Sequence, residues 1–221
     1  MKVSLIITCF NRESYLSRAI RSALSQRFPR KEFEVIVVDD GSSDHSPEIA
    51  RDYGDRIVYL RNEKNLGLPV ARNIGIRRAK GRYVVNLDSD DYVHEDLIYI
   101  EHLHLALNPH WGAVSCDYFL VDENEQHIRR VSGIDRPIAC GVMFRKDALI
   151  SIGLYDETIQ VCEEEDLRIR FMQHYCIGHV ELPLYRYSRH DGNLTNNHHE
   201  LARYRRQIRE KHGHLRKKRD P

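Results

Sequence analysis

Four short apolar runs, at residues 3–8, 33–38, 57–60 and 83–87, leave this chain few ways to fold. Each is long enough for a strand and too short for a helix, and their nearly unbroken aliphatic content suits strands buried on both faces. Between them the apolar spacing changes period. Leu16, Ala19, Ile20, Ala23 and Leu24 recur at helical intervals until Phe28 and Pro29 end the run. Ser46-Pro47-Glu48 has the form of a helix start, and Pro69 opens another helix through Val70, Ile74 and Arg77. Strands alternating with short helical crossovers predict an α/β fold on a doubly wound, mostly parallel sheet.

The second half is less regular and predicts a mixed sheet. Residues 95–107 read as a helix ended by Asn108-Pro109, and residues 111–116 as a strand. Residues 122–139 are polar and read as irregular. Strands at 141–144 and 180–187 flank a helix at about 163–174. The 221 residues, 41% of them hydrophobic, suffice for one substantial core. The organisation expected is a single domain over 1–200, with halves at 1–91 and 92–200, followed by a tail at 201–221.

Several classes of protein are excluded or disfavoured at this point. No apolar run approaches the ~18 residues that span a bilayer. The N-terminal run is followed at once by polar residues without a small-residue cleavage site, so the expectation is a cytoplasmic protein. Five cysteines with no C-x-x-C pair fit reduced thiols rather than a disulfide framework or zinc knuckle. The net charge is +1, yet residues 201–221 carry +7 and leave a mildly acidic body, for which no nucleic-acid partner is expected.

In an open parallel sheet, ligands bind beyond the carboxyl ends of the strands. Three polar sets wait there: Thr8-Cys9-Phe10-Asn11-Arg12, Asp39-Asp40-Gly41-Ser42-Ser43-Asp44 and Asp88-Ser89-Asp90-Asp91. Asp39-Asp40 alone is equally well read as a cap or a solvated turn. Three carboxylates within residues 88–91 repel one another unless a cation or hydrogen-bond donors neutralise them. A D-x-D of hard oxygen ligands suits Mg²⁺ or Mn²⁺ carrying a substrate diphosphate.

These blocks resemble glycosyltransferase family 2. The likeness runs from Ser4-Leu5-Ile6-Ile7-Thr8-Cys9-Phe10-Asn11 through Val37-Val38-Asp39-Asp40-Gly41-Ser42, Asn65-Leu66-Gly67, Ala71-Arg72-Asn73 and Leu87-Asp88-Ser89-Asp90-Asp91. It continues through Gly141-Val142-Met143-Phe144-Arg145 and residues 163–170 to Tyr185-Arg186-Tyr187, covering roughly 2–195. The resemblance implies a GT-A type fold and transfer of a sugar, with inversion, from a nucleotide diphosphate donor, UDP by expectation, to an acceptor hydroxyl in polysaccharide or envelope glycan synthesis. It implies that Thr8, Phe10 and Arg12 border the nucleoside and that Asp40, with Asp39, accepts from a uracil-like N–H. Arg72 falls near the nucleotide or its phosphates, Asp88 near the ribose or sugar and metal, and Asp90 on the Mn²⁺ or Mg²⁺, with His190 reaching the metal or diphosphate. Taken alone, Arg72 reads as a surface ion pair.

The base is harder to place. The family pattern Glu-Asp-x-Asp-Leu-x-x-Arg, anchored on Asp166-Leu167 and Arg170, puts Glu164 where the family has Asp. With Leu167 as the buried direction, Glu163 and Glu164 lie within about 60° of it, Asp166 about 100° away and Glu165 about 160° away. Glu164 is therefore the expected general base, Asp166 the alternative, and Glu165 faces solvent. Residues 122–139 and 188–200 are expected to shape the side that takes a glycan or lipid-linked acceptor.

Two other functions compete. A non-catalytic nucleotide-sugar-binding module has no use for an inward Glu164. A haloacid-dehalogenase-like phosphatase also uses D-x-D, but Asp91-Tyr92 stands where that class has a small residue and then Thr. In the tail, Leu201, Tyr204 and Ile208 share one helical stripe among arginines. That pattern suits either peripheral contact with an anionic membrane or packing on the body. Asn193-Leu194-Thr195 matches a glycosylation sequon, which carries little weight without a secretory signal.

Overall fold

The computed structural model describes residues 1–193 and 196–216. The sequon's Leu194 and Thr195, and residues 217–221 of the basic tail, lie outside the described residues. The elements are β1 (Val3–Cys9), α1 (Glu13–Leu24), β2 (Phe33–Asp39), α2 (Ser46–Arg51), β3 (Val58–Arg61), α3 (Leu68–Arg78) and β4 (Tyr83–Asp88). There follow β5 (Tyr92–Val93), α4 (Leu97–Leu107), β6 (Trp111–Val121), β7 (His127–Val131), β8 (Val142–Arg145), α5 (Lys146–Ser151), α6 (Glu163–Phe171), β9 (Cys176–Ser188) and α7 (His198–Arg216).

The strands form one mixed sheet in the order β3-β2-β1-β4-β8-β6-β9-β5, with β7 paired to β6. The first four are parallel, and β8 joins β4 antiparallel through Val84↔Phe144. Residues beyond 92 thus extend the same sheet rather than building a second one. Alternate side chains of the unbroken apolar runs serve opposite faces, as the pleat requires. Leu5, Ile7, Val35 and Val37 pack with Leu16 and Ile20 of α1 and Leu97 and Leu105 of α4, whereas Ile6, Ile36 and Val38 pack with Ala71 and Ile76 of α3 and Leu167 and Phe171 of α6. Each buried Leu or Ile on these helices contributes about 1.5–3 kcal/mol, which fixes helices to both faces of the sheet.

Two departures from the sequence reading bear on function. Residues 122–139 are not wholly irregular: His127–Val131 forms a hairpin partner for the far half of β6, with Leu120 opposite Arg129. β8 pairs with β6 only at residues 113–115, so the sheet forks where β8 leaves and β7 takes over. In addition, α7 extends the expected tail helix back to His198, and Ile208 is buried with Ile159 and Cys162, beside Leu201 and Tyr204. The apolar stripe of the tail is therefore covered by the body, the second of its two readings. Among the described residues no helix is long and apolar enough to cross a membrane.

Candidate active site

A cleft of about 960 Å³ opens beyond the carboxyl ends of β1, β2 and β4. Thr8, Phe10 and Arg12 line it from the end of β1. Asn11 takes a left-handed conformation at φ 52°, which Asn tolerates better than most residues. Its side chain accepts from the Ser43 N–H at 2.8 Å, and its own N–H donates to Ser42 Oγ at 2.9 Å, which ties the loops after β1 and β2 together. Phe10 stays 40% exposed, an apolar ring facing the opening.

The two carboxylates after β2 part company. Asp40 lines the cleft and accepts from Asn62 Nδ2 at 2.7 Å and from the backbone N–H groups of Leu66 and Gly67 at 3.0 and 2.8 Å. Gly41 permits this close approach: at φ 79° a Cβ would stand 2.6 Å from the Lys64 carbonyl carbon. Asp39, expected beside it, does not line the cleft: it points beneath the loop, accepting from Tyr59 Oη at 2.7 Å and the Ser42 N–H at 2.9 Å.

The crowding at residues 88–91 is relieved by separate partners for each of the three carboxylates. Asp88 accepts from Arg72, whose guanidinium also donates to Glu163. Far from being a surface pair, Arg72 is fully buried on the cleft floor. Asp90 accepts on Oδ2 from His190 Nε2 at 3.0 Å and from Arg12 at 3.4 Å, and the imidazole stacks on Tyr15 at 4.8 Å. Asp91 turns inward to Tyr185 Oη at 2.5 Å and the Ser188 N–H at 2.8 Å, and burial pushes its carboxyl well above the usual range. Much of the repulsion that called for a cation is thus met by protein groups. No cluster of three His, Cys, Asp or Glu side chains able to hold a metal occurs among the described residues.

Opposite this edge, α6 begins at Cys162, held left-handed at φ 63°. A non-glycine residue there costs about 1–2 kcal/mol and marks a turn imposed by its surroundings. The turn delivers Glu163 and Glu164 to the cleft. Glu163 is buried against Arg72, while burial and then the Glu163 charge push the Glu164 carboxyl up to about 8. Asp166, the alternative base, does not reach the cleft. It is buried on another side of α6, accepting from Arg170 and His212 at 2.8 and 2.7 Å, with Lys211 at 2.7 Å. The single-helix projection left that side half-open because α7, which closes it, lies more than thirty residues away in sequence. Glu165 pairs with Arg205 of α7 at 2.8 Å instead of facing solvent alone.

The far wall carries residues that the sequence did not single out: Tyr118, Leu120, Arg129, Val131, Arg136 and Tyr187. Only Arg129, Val131 and Arg136 belong to a segment expected to shape the acceptor side; Tyr118 and Leu120 come from β6 and Tyr187 from β9, and no spacing rule marks the two arginines as lining one cleft.

The model of glycosyl transferase family 2 matches residues 4–213. The chain belongs to this family. An uncharacterized glycosyltransferase of Rickettsia prowazekii (strain Madrid E) is 34% identical over 191 residues, 77% of this chain and 58% of that relative. The poly(ribitol-phosphate) beta-N-acetylglucosaminyltransferase TarS of Staphylococcus aureus (strain Mu50) is 37% identical over 101 residues, 44% of this chain and 18% of TarS. The family-2 chain therefore spans little more than half the length of the first and a fifth of the second. Among solved structures, S. aureus TarS 1-349 in complex with UDP-GlcNAc superposes with a TM-score of 0.75 at 22% identity, covering 94% of this chain and 65% of that one. Mannosyltransferase PcManGT from Pyrobaculum calidifontis, in complex with GDP-Man and Mn²⁺, gives 0.77 at 20% identity over 95% and 63%. These likenesses establish the GT-A fold for the family-2 chain.

Proposed function

We propose that this chain transfers a sugar, with inversion, from a UDP-sugar to an acceptor hydroxyl in envelope or polysaccharide glycan synthesis. The observation that carries the reading is Glu164, a carboxyl pushed up to about 8 beside the ion-paired Arg72, in the same cleft as Asp40, Asp88 and Asp90. A base titrating near neutrality both accepts a hydroxyl proton readily and is ionised often enough to do so. A non-catalytic module has no use for such a group. The UDP-GlcNAc complex of TarS supports UDP as the donor nucleotide.

In this reading Phe10 and Thr8 border the base and ribose, and Asp40 accepts from the uracil N3–H, an edge at which cytosine offers an acceptor instead. Asp88 meets the ribose or sugar, held in place by Arg72. The acceptor hydroxyl gives its proton to Glu164 as its oxygen attacks the anomeric carbon and the nucleotide diphosphate departs from the opposite face. Glu163 remains paired with Arg72 and keeps Glu164 basic. Asp90, in contact with His190 and two residues from Asp88, would hold Mn²⁺ or Mg²⁺ with diphosphate oxygens supplying most of the coordination, since the described side chains do not by themselves form a three-ligand cluster. When bound, such an ion neutralises charge on the departing diphosphate. Mn²⁺ in the PcManGT complex supports that expectation.

Glu164→Gln keeps size and polarity but cannot take a proton, so turnover should fall by ~10² or more while UDP affinity persists. Transfer measured with a panel of UDP-sugars, alongside UDP calorimetry, tests this. Full turnover in the variant would remove Glu164 from the mechanism.

A further inference from the structure

At the edge beyond β1, β2 and β4 the carboxylates of Asp40, Asp88 and Asp90 stand with Arg12 and Arg72, Glu163 and Glu164 face them from α6, and the far wall presents Arg129 and Arg136. The placement of Arg129 follows from strand alternation. Arg130 turns to the opposite face, where it pairs with Asp117 at 2.5 Å, leaving Arg129 and Val131 on the face that lines the cleft with Tyr118 and Leu120. Arg136 is held by its backbone: its N–H donates to the Ser132 carbonyl at 3.0 Å, and its own carbonyl accepts from Tyr118 Oη at 3.0 Å.

Other arginines around the cleft are already committed, Arg12 to Asp90, Arg72 to Asp88 and Glu163, and Arg205 to Glu165. Among the described residues, neither Arg129 nor Arg136 forms an ion pair or a side-chain hydrogen bond. The rings of Tyr118 and Tyr187, 6.2 Å apart, line the cleft with them. Two uncommitted guanidinium forks in a concave site raise the local concentration of anions and match the geometry of a carboxylate or phosphate.

We propose that the acceptor is anionic, and that Arg129 and Arg136 select it by binding a phosphate or carboxylate on the acceptor while its reacting hydroxyl lies toward Glu164. The proposal rests on the transferase reading for its word acceptor, but the anion site itself can be measured without turnover.

UDP is first titrated with Mn²⁺ into the full chain by calorimetry; absence of binding refutes the donor reading alone. Four probes are then titrated by NMR, with UDP present if it binds: methyl glucoside, methyl glucoside 6-phosphate, methyl glucuronide and geranyl phosphate. At least one anionic probe should bind about tenfold or more tighter than methyl glucoside, with the advantage shrinking as salt rises. The tightest one says whether the anion is a sugar phosphate, a uronate or a lipid-carried phosphate. Arg129→Gln with Arg136→Gln should abolish the preference and leave UDP affinity unchanged, and Arg129→Lys with Arg136→Lys should retain part of it. Equal binding of charged and neutral probes by the unaltered chain overturns the proposal. So does a matching loss of UDP affinity in the double glutamine variant, which would assign these arginines to the donor diphosphate.

Discussion

Arg72 joins the two edges of the cleft, and replacing it with Met should expose how much that junction holds. The side chain is 1% exposed, bonded to Asp88 Oδ1 at 2.8 Å and to Glu163, and lies over the Tyr155 ring at 5.4 Å. Met fills similar length without charge, so the variant leaves Glu163 buried beside Asp88 with no cation. Removing one partner of a buried pair costs about 3–5 kcal/mol. At about 2–4 °C per kcal/mol for a chain of this size, Tm should fall by about 6–20 °C. The sign with pH follows from Glu163. Burial already raises its pKa against the pull of Arg72, and without Arg72 it rises further. A carboxyl whose folded pKa exceeds the unfolded value of about 4.3 loses stability as pH climbs above that value. The deficit of Arg72→Met should therefore be small at pH 5 and full at pH 8. Adding Glu163→Gln removes the stranded charge and should restore a large part of the loss. Urea denaturation at both pH values, followed by Trp111 fluorescence, measures all three variants. A cost below about 1 kcal/mol that is independent of pH and additive with Glu163→Gln would refute the reasoning.

In the proposed mechanism Glu164 acts ionised, so kcat/KM should climb as pH rises through about 8, and Arg72→Met should move that limb upward because Arg72 draws the Glu164 pKa down; a profile flat from pH 6 to 9 would count against the base. Asp40→Asn exchanges an acceptor for an N–H donor facing the Leu66 and Gly67 amides, so UDP affinity should drop about tenfold or more, which calorimetry reads directly. Glu101 is buried against the Cys116 thiol with neither oxygen in a well-formed hydrogen bond, and burial raises its carboxyl well above the usual range. Its penalty grows as pH rises above the unfolded value, so Glu101→Leu should stabilise the chain by about 1–3 kcal/mol at pH 8 and by less at pH 5, in the same denaturation assay.

The sequence by itself determined the parallel half of the sheet, because a strand buried on both faces must be apolar throughout and the turns after it must be polar. Those two constraints put Thr8, Phe10, Asp40, Asp88 and Asp90 on one edge before any contact was known. It also brought Glu163 and Glu164 to the inward side of α6, since Leu167 fixes the helix rotation. Where two adjacent carboxylates compete, however, the chain alone is silent. Asp39 and Asp40 differ in role because Tyr59 of β3 captures the first and the loop at residues 62–67 captures the second. Asp166 is withdrawn from the site by Lys211 and His212, more than forty residues away. Period and capping are properties of one element, whereas a carboxylate's partner, exposure and pKa depend on which other elements close around it. The same holds for the far wall, where Arg129 lines the cleft because β7 pairs with β6 at the fork of the sheet and Arg136 is tied there through Tyr118 of β6.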